Sequence, residues 1–507
     1  MGVVIKQSVR SSIISYLGVG VGFVNTILLF PKMLSLEEIG LFKLLLSFCI
    51  ILMPILQFNG AAGFTKFYPF YSQKSKEFNG LISFFFLLSL TGFSCFGLGV
   101  LFWKESIFNW LFAEKAPLVL DYSWTLLPLV FFFLYSNLLE TIIFSKLKSV
   151  FSTFLKTVVI RVLTTCIVVL YYFDWINQFE LITLFVSIYG LQFVLLGFYF
   201  VKLFSFKLVH PKIIFTSEHF KAIKSYLILI FLGGSGAALV PQIDSLMSSS
   251  KLGLEYTGIY TIAFYIAVII EIPRRSIIQI VAPLLSQAIE KKDERKVVEI
   301  YRKTAINQFI ASGLVFLLLV VSLEDIYNFI PSKDNYALII QGMPVVFIIG
   351  FSYVIDMLMG CNTEIIHYSK LYKWNAVLIP LLAVMSIGLN LLYLRLLSDS
   401  LIAIALATFT TIVTHNFIRS FIIYKHFKIW PFGTGHLKFT AILVLSTAIA
   451  YLLPDVQNKY LSILINSSVV TAITVGGAFI LNVSEDFTQL CNTTLNKTMT
   501  FFKGGAE

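Results

Sequence analysis

The sequence predicts an all-α polytopic membrane protein of about fourteen transmembrane helices, arranged as two six-helix lobes related by a parallel repeat, plus two C-terminal helices. Three observations carry this prediction. Of 507 residues, 58% are apolar and 13% charged, against about 25% charged in an ordinary soluble domain. Stretches such as Leu81–Phe102, Phe179–Phe200 and Leu461–Leu481 each run about 20 residues with almost no charge, enough to cross a bilayer as a helix. Short motifs of the first half also recur in the second half at a nearly constant offset.

Taken in order, the first six spans fall at 11–30, 42–58, 81–102, 119–143, 152–173 and 179–200. The first lacks a small-residue cleavage site, so it is expected to remain as a span and not be removed as a signal. The segment 201–224, with five lysines, is the natural linker. Eight more spans follow at 225–247, 257–285, 305–323, 337–360, 376–397, 401–423, 439–453 and 461–481. The eighth is too long for a straight crossing and contains "EIPRRS" at 271–276. The thirteenth is short.

Charge sets the orientation. With the N-terminus in the cytoplasm, 27 of the 38 Lys and Arg fall in or beside cytoplasmic segments and seven in or beside the opposite ones. Lys43, Arg161, Arg274 and Arg275 fall within spans. This bias puts both termini inside. The net charge of +11 then reflects a basic cytoplasmic rim whose partner is anionic membrane lipid, and nucleic acid is not implied. Cys49, Cys95, Cys166, Cys361 and Cys491 show no disulfide or metal spacing. The four in or beside spans read as buried small apolar residues.

The repeat is explicit. "SLEEIGLF" at 35–42 matches "GLEYTGIY" at 253–260, an offset of 218. "PFYSQ" at 69–73 matches "PLLSQ" at 283–287, an offset of 214. "PLVFFFLYSNLLE" at 128–140 matches "PVVFIIGFSYVID" at 344–356, an offset of 216, and "SKLK" at 145–148 resembles "SKLYK" at 369–373, an offset of 224. Four matches in one order define an N-lobe at 1–215, a C-lobe at 216–430 and an appendage at 431–507. Six spans per lobe is an even number, so the repeat is parallel. Repeats of this kind belong to transporters, with a substrate path where the halves meet.

The stretches 254–296 ("LEYTGIYTIAFYIAVIIEIPRRSIIQIVAPLLSQAIEKKDERK") and 35–77 ("SLEEIGLFKLLLSFCIILMPILQFNGAAGFTKFYPFYSQKSKE") resemble the corresponding parts of Wzx-like O-antigen flippases. These belong to the multidrug/oligosaccharidyl-lipid/polysaccharide exporter superfamily. The resemblance implies a V-shaped flippase of the bacterial inner membrane. Such a protein moves an undecaprenyl-diphosphate-linked oligosaccharide to the periplasmic leaflet by alternating access, for surface polysaccharide export. It also implies a polysaccharide polymerase and glycosyltransferases as partners, a monomer, and no cofactor beyond a coupling Na+ or H+. The alternatives are a peptidoglycan lipid-precursor flippase and a cation-coupled multidrug exporter of the same superfamily. Peptidoglycan-precursor flippases carry basic residues in the first span, whereas 11–30 has none here.

Arginine suits a diphosphate, because its planar fork makes paired, charge-assisted hydrogen bonds and keeps its charge. Arg274 lies 17 residues beyond Thr257, roughly 26 Å along a helix at 1.5 Å per residue. Arg274 and Arg275 either face a hydrated cavity or snorkel at the inner interface. Glu271, four residues before Arg275, equally suits a structural ion pair, and Pro273 is expected to kink the helix. Arg161 is too deep to snorkel easily, so it contacts either substrate or Glu140. Glu140 and Asp356 are repeat mates suited to a basic rim, a gate or ion coupling. Lys66 and Arg10 flank the cytoplasmic mouth, as lipid contacts or as capture sites for the diphosphate. Lys43 is expected to snorkel. By resemblance, Asp244 in the seventh span joins polar groups of the eleventh, Asn375 and Asn390, in a coupling-cation site; an interfacial role is the other reading. An envelope enzyme is not expected, because the longest outer connections, 103–118 and 324–336, carry no acidic pair, HExxH motif or phosphate-binding glycine loop.

Overall fold

The computed structural model describes residues 2–72, 75–112, 116–146, 148–204, 206–207, 209–233, 239–331, 336–398, 400–452 and 459–504. Among these residues every regular element is helical. In chain order the principal helices are α1 (Ile13–Met33), α2 (Leu36–Leu56), α3 (Lys76–Trp103), α4 (Ser123–Ser145), α5 (Ser149–Tyr172) and α6 (Gln178–Leu203). They continue as α7 (Val240–Lys251), α8 (Leu254–Glu290), α9 (Glu294–Val321), α10 (Tyr336–Leu358), α11 (Lys370–Leu396) and α12 (Leu401–Phe427). The last two are α13 (Thr434–Tyr451) and α14 (Tyr460–Ile480).

Twelve of these helices are long and apolar enough to cross a membrane; the two outside that set are α7 and α13. Of the expected seventh span, Phe220–Gly233 and Val240–Lys251 are helical, and residues 234–238 lie outside the described residues. α13 is an 18-residue helix whose first turns carry His436 and Lys438. The expected outer connection 103–118 is largely helical, since the helix containing α3 runs from Ser75 to Phe112. A further helix, Glu485–Gly504, follows the last span and had no counterpart in the sequence reading.

Local chemistry sets several boundaries. Ser35 accepts from the Glu38 amide while Glu38 returns a bond to the Ser35 amide, so α2 opens with a capping box that satisfies two otherwise unpaired N–H groups. Asn177 and Glu180 do the same for α6. The buried Glu38 carboxylate also accepts from Tyr171 and Gln178, which ties the start of α2 to the end of α5 and the start of α6.

The chain forms two compact units. The first runs to Ile262 and adds Ile330–Leu338 and Ala376–Ile404; the second comprises Ala263–Phe329, Ile339–Asn375 and the chain from Ala405 on. The core of the first is rich in aromatics, with Phe64, Phe67, Tyr71 and Phe85 buried together beside Leu138, Ile142 and Phe200. In the second, Ile306, Phe309 and Ile310 of α9 pack with Val354, Phe439, Ile442 and Ala478, so α13 and α14 share its core.

Within the first unit α2 crosses the first turns of α8 at van der Waals limit. A Cβ on Gly40 would run into the Leu254 carbonyl, and one on Gly258 into the Leu36 carbonyl. Gly40 and Gly258 are repeat mates at the offset of 218, as are Leu36 and Leu254. The contact is therefore reciprocal, and each helix lends its glycine to the other's backbone.

Candidate substrate and ion sites

α8 is interrupted where "EIPRRS" stands. Its first helical part ends at Ala267, a 3₁₀ turn covers Val268–Glu271, and the helix resumes at Ile272. Pro273 offers no N–H to the preceding turn, so the regular ladder breaks there. The two arginines leave this break differently. Arg274 is mostly buried, at 17% side-chain exposure, and its Nη1 lies 2.6 Å from Asp356 Oδ2 on α10. Arg275 is 56% exposed, 3.7 Å from Glu271 Oε2, the i, i+4 pair that the spacing allowed. Asp356 Oδ1 accepts from Asn416 Nδ2 at 2.7 Å. Asn362 Nδ2 donates to Asn416 Oδ1 at 2.9 Å, Thr363 donates to Asn362 Oδ1 at 3.2 Å, and Arg419 Nη1 donates to Thr363 Oγ1 at 2.9 Å. A polar chain thus runs from one buried guanidinium to another.

The first unit contains a related arrangement. Glu140, 5% exposed, receives Lys156 Nζ at 2.8 Å and Gln192 Nε2 at 3.2 Å. The acid mates Glu140 and Asp356 lie 216 residues apart, and the amides Gln192 and Asn416 lie 224 apart, the offset already seen at "SKLK". Each unit therefore clamps an acid of its fourth repeat helix with a carboxamide of its sixth. The cation differs: Lys156 comes from α5, whereas Arg274 comes from α8. Of the two readings of Arg161, the bond to Glu140 is not made: Lys156, five residues nearer the start of α5, holds that carboxylate. Arg161 Nη1 donates to the Gly18 carbonyl of α1, and its own carbonyl accepts from Asn25.

Asp244 is fully buried. Tyr260 donates to its Oδ2 at 2.7 Å and Asn390 Nδ2 to its Oδ1 at 3.2 Å. Asn390 Oδ1 and Ser386 Oγ, on the same helix, are buried without a hydrogen-bond partner. A buried carboxylate with neutral oxygens to spare is the donor set that a hard cation takes. Asn375 does not join it: 15 residues before Asn390, it lies roughly 22 Å away along α11. Lys43 finds a side-chain partner within the first unit. Its Nζ donates to Gln242 Oε1 at 2.9 Å, and Ser47 donates to the same oxygen at 2.9 Å.

Lys66 and Arg10 are both exposed. Lys66 Nζ lies 3.7 Å from the Tyr226 ring centroid, a cation–π contact that leaves part of its charge free for an anion. Beside α1 and α5 lies a groove of about 810 Å³ lined by Ile13, Leu17, Val21, Val24 and Val162, with Asn25 and Thr165 among its few polar neighbours; such a lining suits hydrocarbon and not phosphate. Of the cysteines, Cys49 and Cys361 are buried, but Cys95 and Cys166 are exposed, so two of the four in or beside spans depart from the expected burial.

Lys156, Gln192, Tyr260, Asn416 and Arg419 were not legible as site residues. Gln192 and Asn416 had a signal, their shared offset, but lone amides in apolar helices do not announce a partner.

No family model matches this chain, and no curated protein matches it. Its fold does match solved structures. It is similar to the lipid II flippase MurJ in an inward closed conformation, with a TM-score of 0.71 and 15% identity over 93% of this chain and 98% of that one. It is also similar to an inward-facing multidrug resistance MATE family transporter of the MOP superfamily, with a TM-score of 0.63 and 14% identity over 83% and 98%. A MATE protein in a bent conformation aligns with a TM-score of 0.54 and 15% identity over 84% and 96%. The chain is therefore a multi-pass membrane protein with the fold of these flippases and transporters.

Proposed function

We propose that this protein flips an undecaprenyl-diphosphate-linked oligosaccharide from the cytoplasmic to the periplasmic leaflet of a bacterial inner membrane, both termini cytoplasmic, for surface polysaccharide export. The observation that carries this reading is the Arg274–Arg275 pair at the break in α8. A charged group inside a membrane span is costly and marks a pathway or an interface. Arg275, exposed and loosely paired, meets the diphosphate first, and Arg274 turns to it from Asp356. Exposed Lys66 and Arg10 draw the anion in, and the apolar groove beside α1 suits the prenyl chain. Asp244 with Asn390 takes the coupling cation.

Deleting the gene is expected to leave lipid-linked sugar facing the cytoplasm and to abolish surface polysaccharide; a strain with normal surface polysaccharide would count against the reading. Arg274→Ala combined with Arg275→Ala is expected to abolish export from a protein that still inserts, with partial recovery when both are lysine. Full export by the double alanine variant would remove these residues from the mechanism.

A second reading, a flippase for a peptidoglycan lipid precursor, is favoured by the similarity to MurJ at a TM-score of 0.71. Its distinguishing outcome is accumulation of peptidoglycan precursor, with lysis, in the deletion strain.

A further inference from the structure

The cluster around Arg274 contains a carboxyl group to which the proposed function assigns no role. Glu364 lies in the short helix Asn362–Tyr368, which packs against the second part of α8. The charges acting on it are Arg274 from α8, Asp356 from α10 and Arg419 from α12, and the Cys361 thiol stands at the start of its own helix. Glu271 acts on Arg274, and Arg275 is engaged with Glu271. His367 on the same helix, and Lys370, Tyr372 and Lys373 of the following turn, are exposed to solvent.

Glu364 is set apart by the state of its oxygens. Its Oε2 is shielded from solvent without a hydrogen-bond partner, and so is Nε of Arg419. Both guanidinium groups are committed elsewhere, Arg274 to Asp356 at 2.6 Å and Arg419 to Thr363 at 2.9 Å. Asp356 has a charge-assisted donor on one oxygen and an amide donor on the other. A buried carboxylate oxygen with no donor favours the protonated group. Glu364 is therefore a carboxyl of this cluster with a bare, shielded oxygen for a proton. With both acids ionised, the two arginines and two carboxylates sum to zero; with a proton on Glu364 the cluster carries one positive charge.

We propose that Glu364 is a proton-binding site linked to anion capture at Arg274: the cluster takes a proton from water onto Glu364 as a phosphate group takes up the Arg274 guanidinium, and releases both together. The inference rests on the reading of Arg274 as a diphosphate contact. An arriving phosphate adds negative charge beside Glu364 and favours its protonated form, and by linkage the proton favours the phosphate equally. Burial raises the Glu364 carboxyl above the usual carboxylate range, with Arg274 pulling it down. The sign follows. Anion affinity is full below the Glu364 pKa and falls as pH rises through it, by at most about tenfold per pH unit for one linked proton.

The test is binding of farnesyl diphosphate to the full-length protein in nanodiscs, titrated from about pH 5 to about pH 8. Proton uptake on binding is followed in weak buffer. The wild type is expected to take up a proton with the probe and to bind more weakly as pH rises. Glu364→Gln is expected to keep only the pH dependence of the probe's own ionisation, and Glu364→Asp to retain the wild-type slope. If the wild type binds the probe without proton uptake, or Glu364→Gln keeps the full slope, the proton site is overturned and the flippase reading stands. If the wild type binds no probe at any pH, the diphosphate reading falls and takes this inference with it.

Discussion

Both oxygens of Asp356 are engaged, Oδ2 by Arg274 and Oδ1 by Asn416, so neither partner can be removed quietly. Breaking a buried ion pair strands the other charge and costs about 3–5 kcal/mol. Asp356→Asn is expected to lower the thermal unfolding temperature of the purified protein markedly. Arg275→Ala, removing an exposed and loosely paired charge, should change stability by less than about 1 kcal/mol. Equal effects of the two changes would mean that the Arg274–Asp356 pair does not stabilise the fold as its burial implies. At the same scale, the Glu271–Arg275 pair was legible from its i, i+4 spacing, whereas the Arg274–Asp356 pair was not, because its two members lie 82 residues apart. Nor were Asn416 and Gln192, because an amide becomes visible as a clamp only when the carboxylate it meets is known.

For the helices, the reciprocal crossing of α2 and α8 is the most constrained contact. Gly258→Ala places a methyl against the Leu36 carbonyl, which cannot retreat as a flexible side chain could. Overpacking of this kind costs about 1–3 kcal/mol. The expected outcome is lower thermal stability for Gly258→Ala and for Gly40→Ala. Gly20→Ala is the control: a Cβ there meets nothing within 4 Å, and alanine is the better helix former by about 1 kcal/mol. If all three variants unfold alike, the close crossing is not a real constraint. The matched octapeptides pointed to this contact only in part. They showed that the two glycines are equivalent, but not that equivalent residues touch.

Over the whole molecule, the question is how an ion gradient would act on transport. Asp244 sits with Tyr260 and Asn390, with two unpartnered oxygens on α11. Asp244→Asn is expected to abolish the dependence of flipping in proteoliposomes on a sodium or proton gradient, while the protein stays folded; an unchanged dependence would remove Asp244 from coupling. The all-helical membrane class was legible in the sequence alone, as were the apolar stretches and the recurrence of motifs along the chain. Each depends on properties summed over many residues: hydropathy over a helix length, and offsets shared among several motifs. The tertiary structure decided what depends on single side chains meeting across the chain. It gave Glu140 to Lys156 and not to Arg161, gave Lys43 to Gln242, and left Asn375 out of the Asp244 site. It also divided the arginines of "EIPRRS" into one buried and one exposed. Hydropathy records how much charge a span holds; only packing determines which neighbour the charge finds, because that depends on a few ångströms of depth and a helix rotation that composition does not encode.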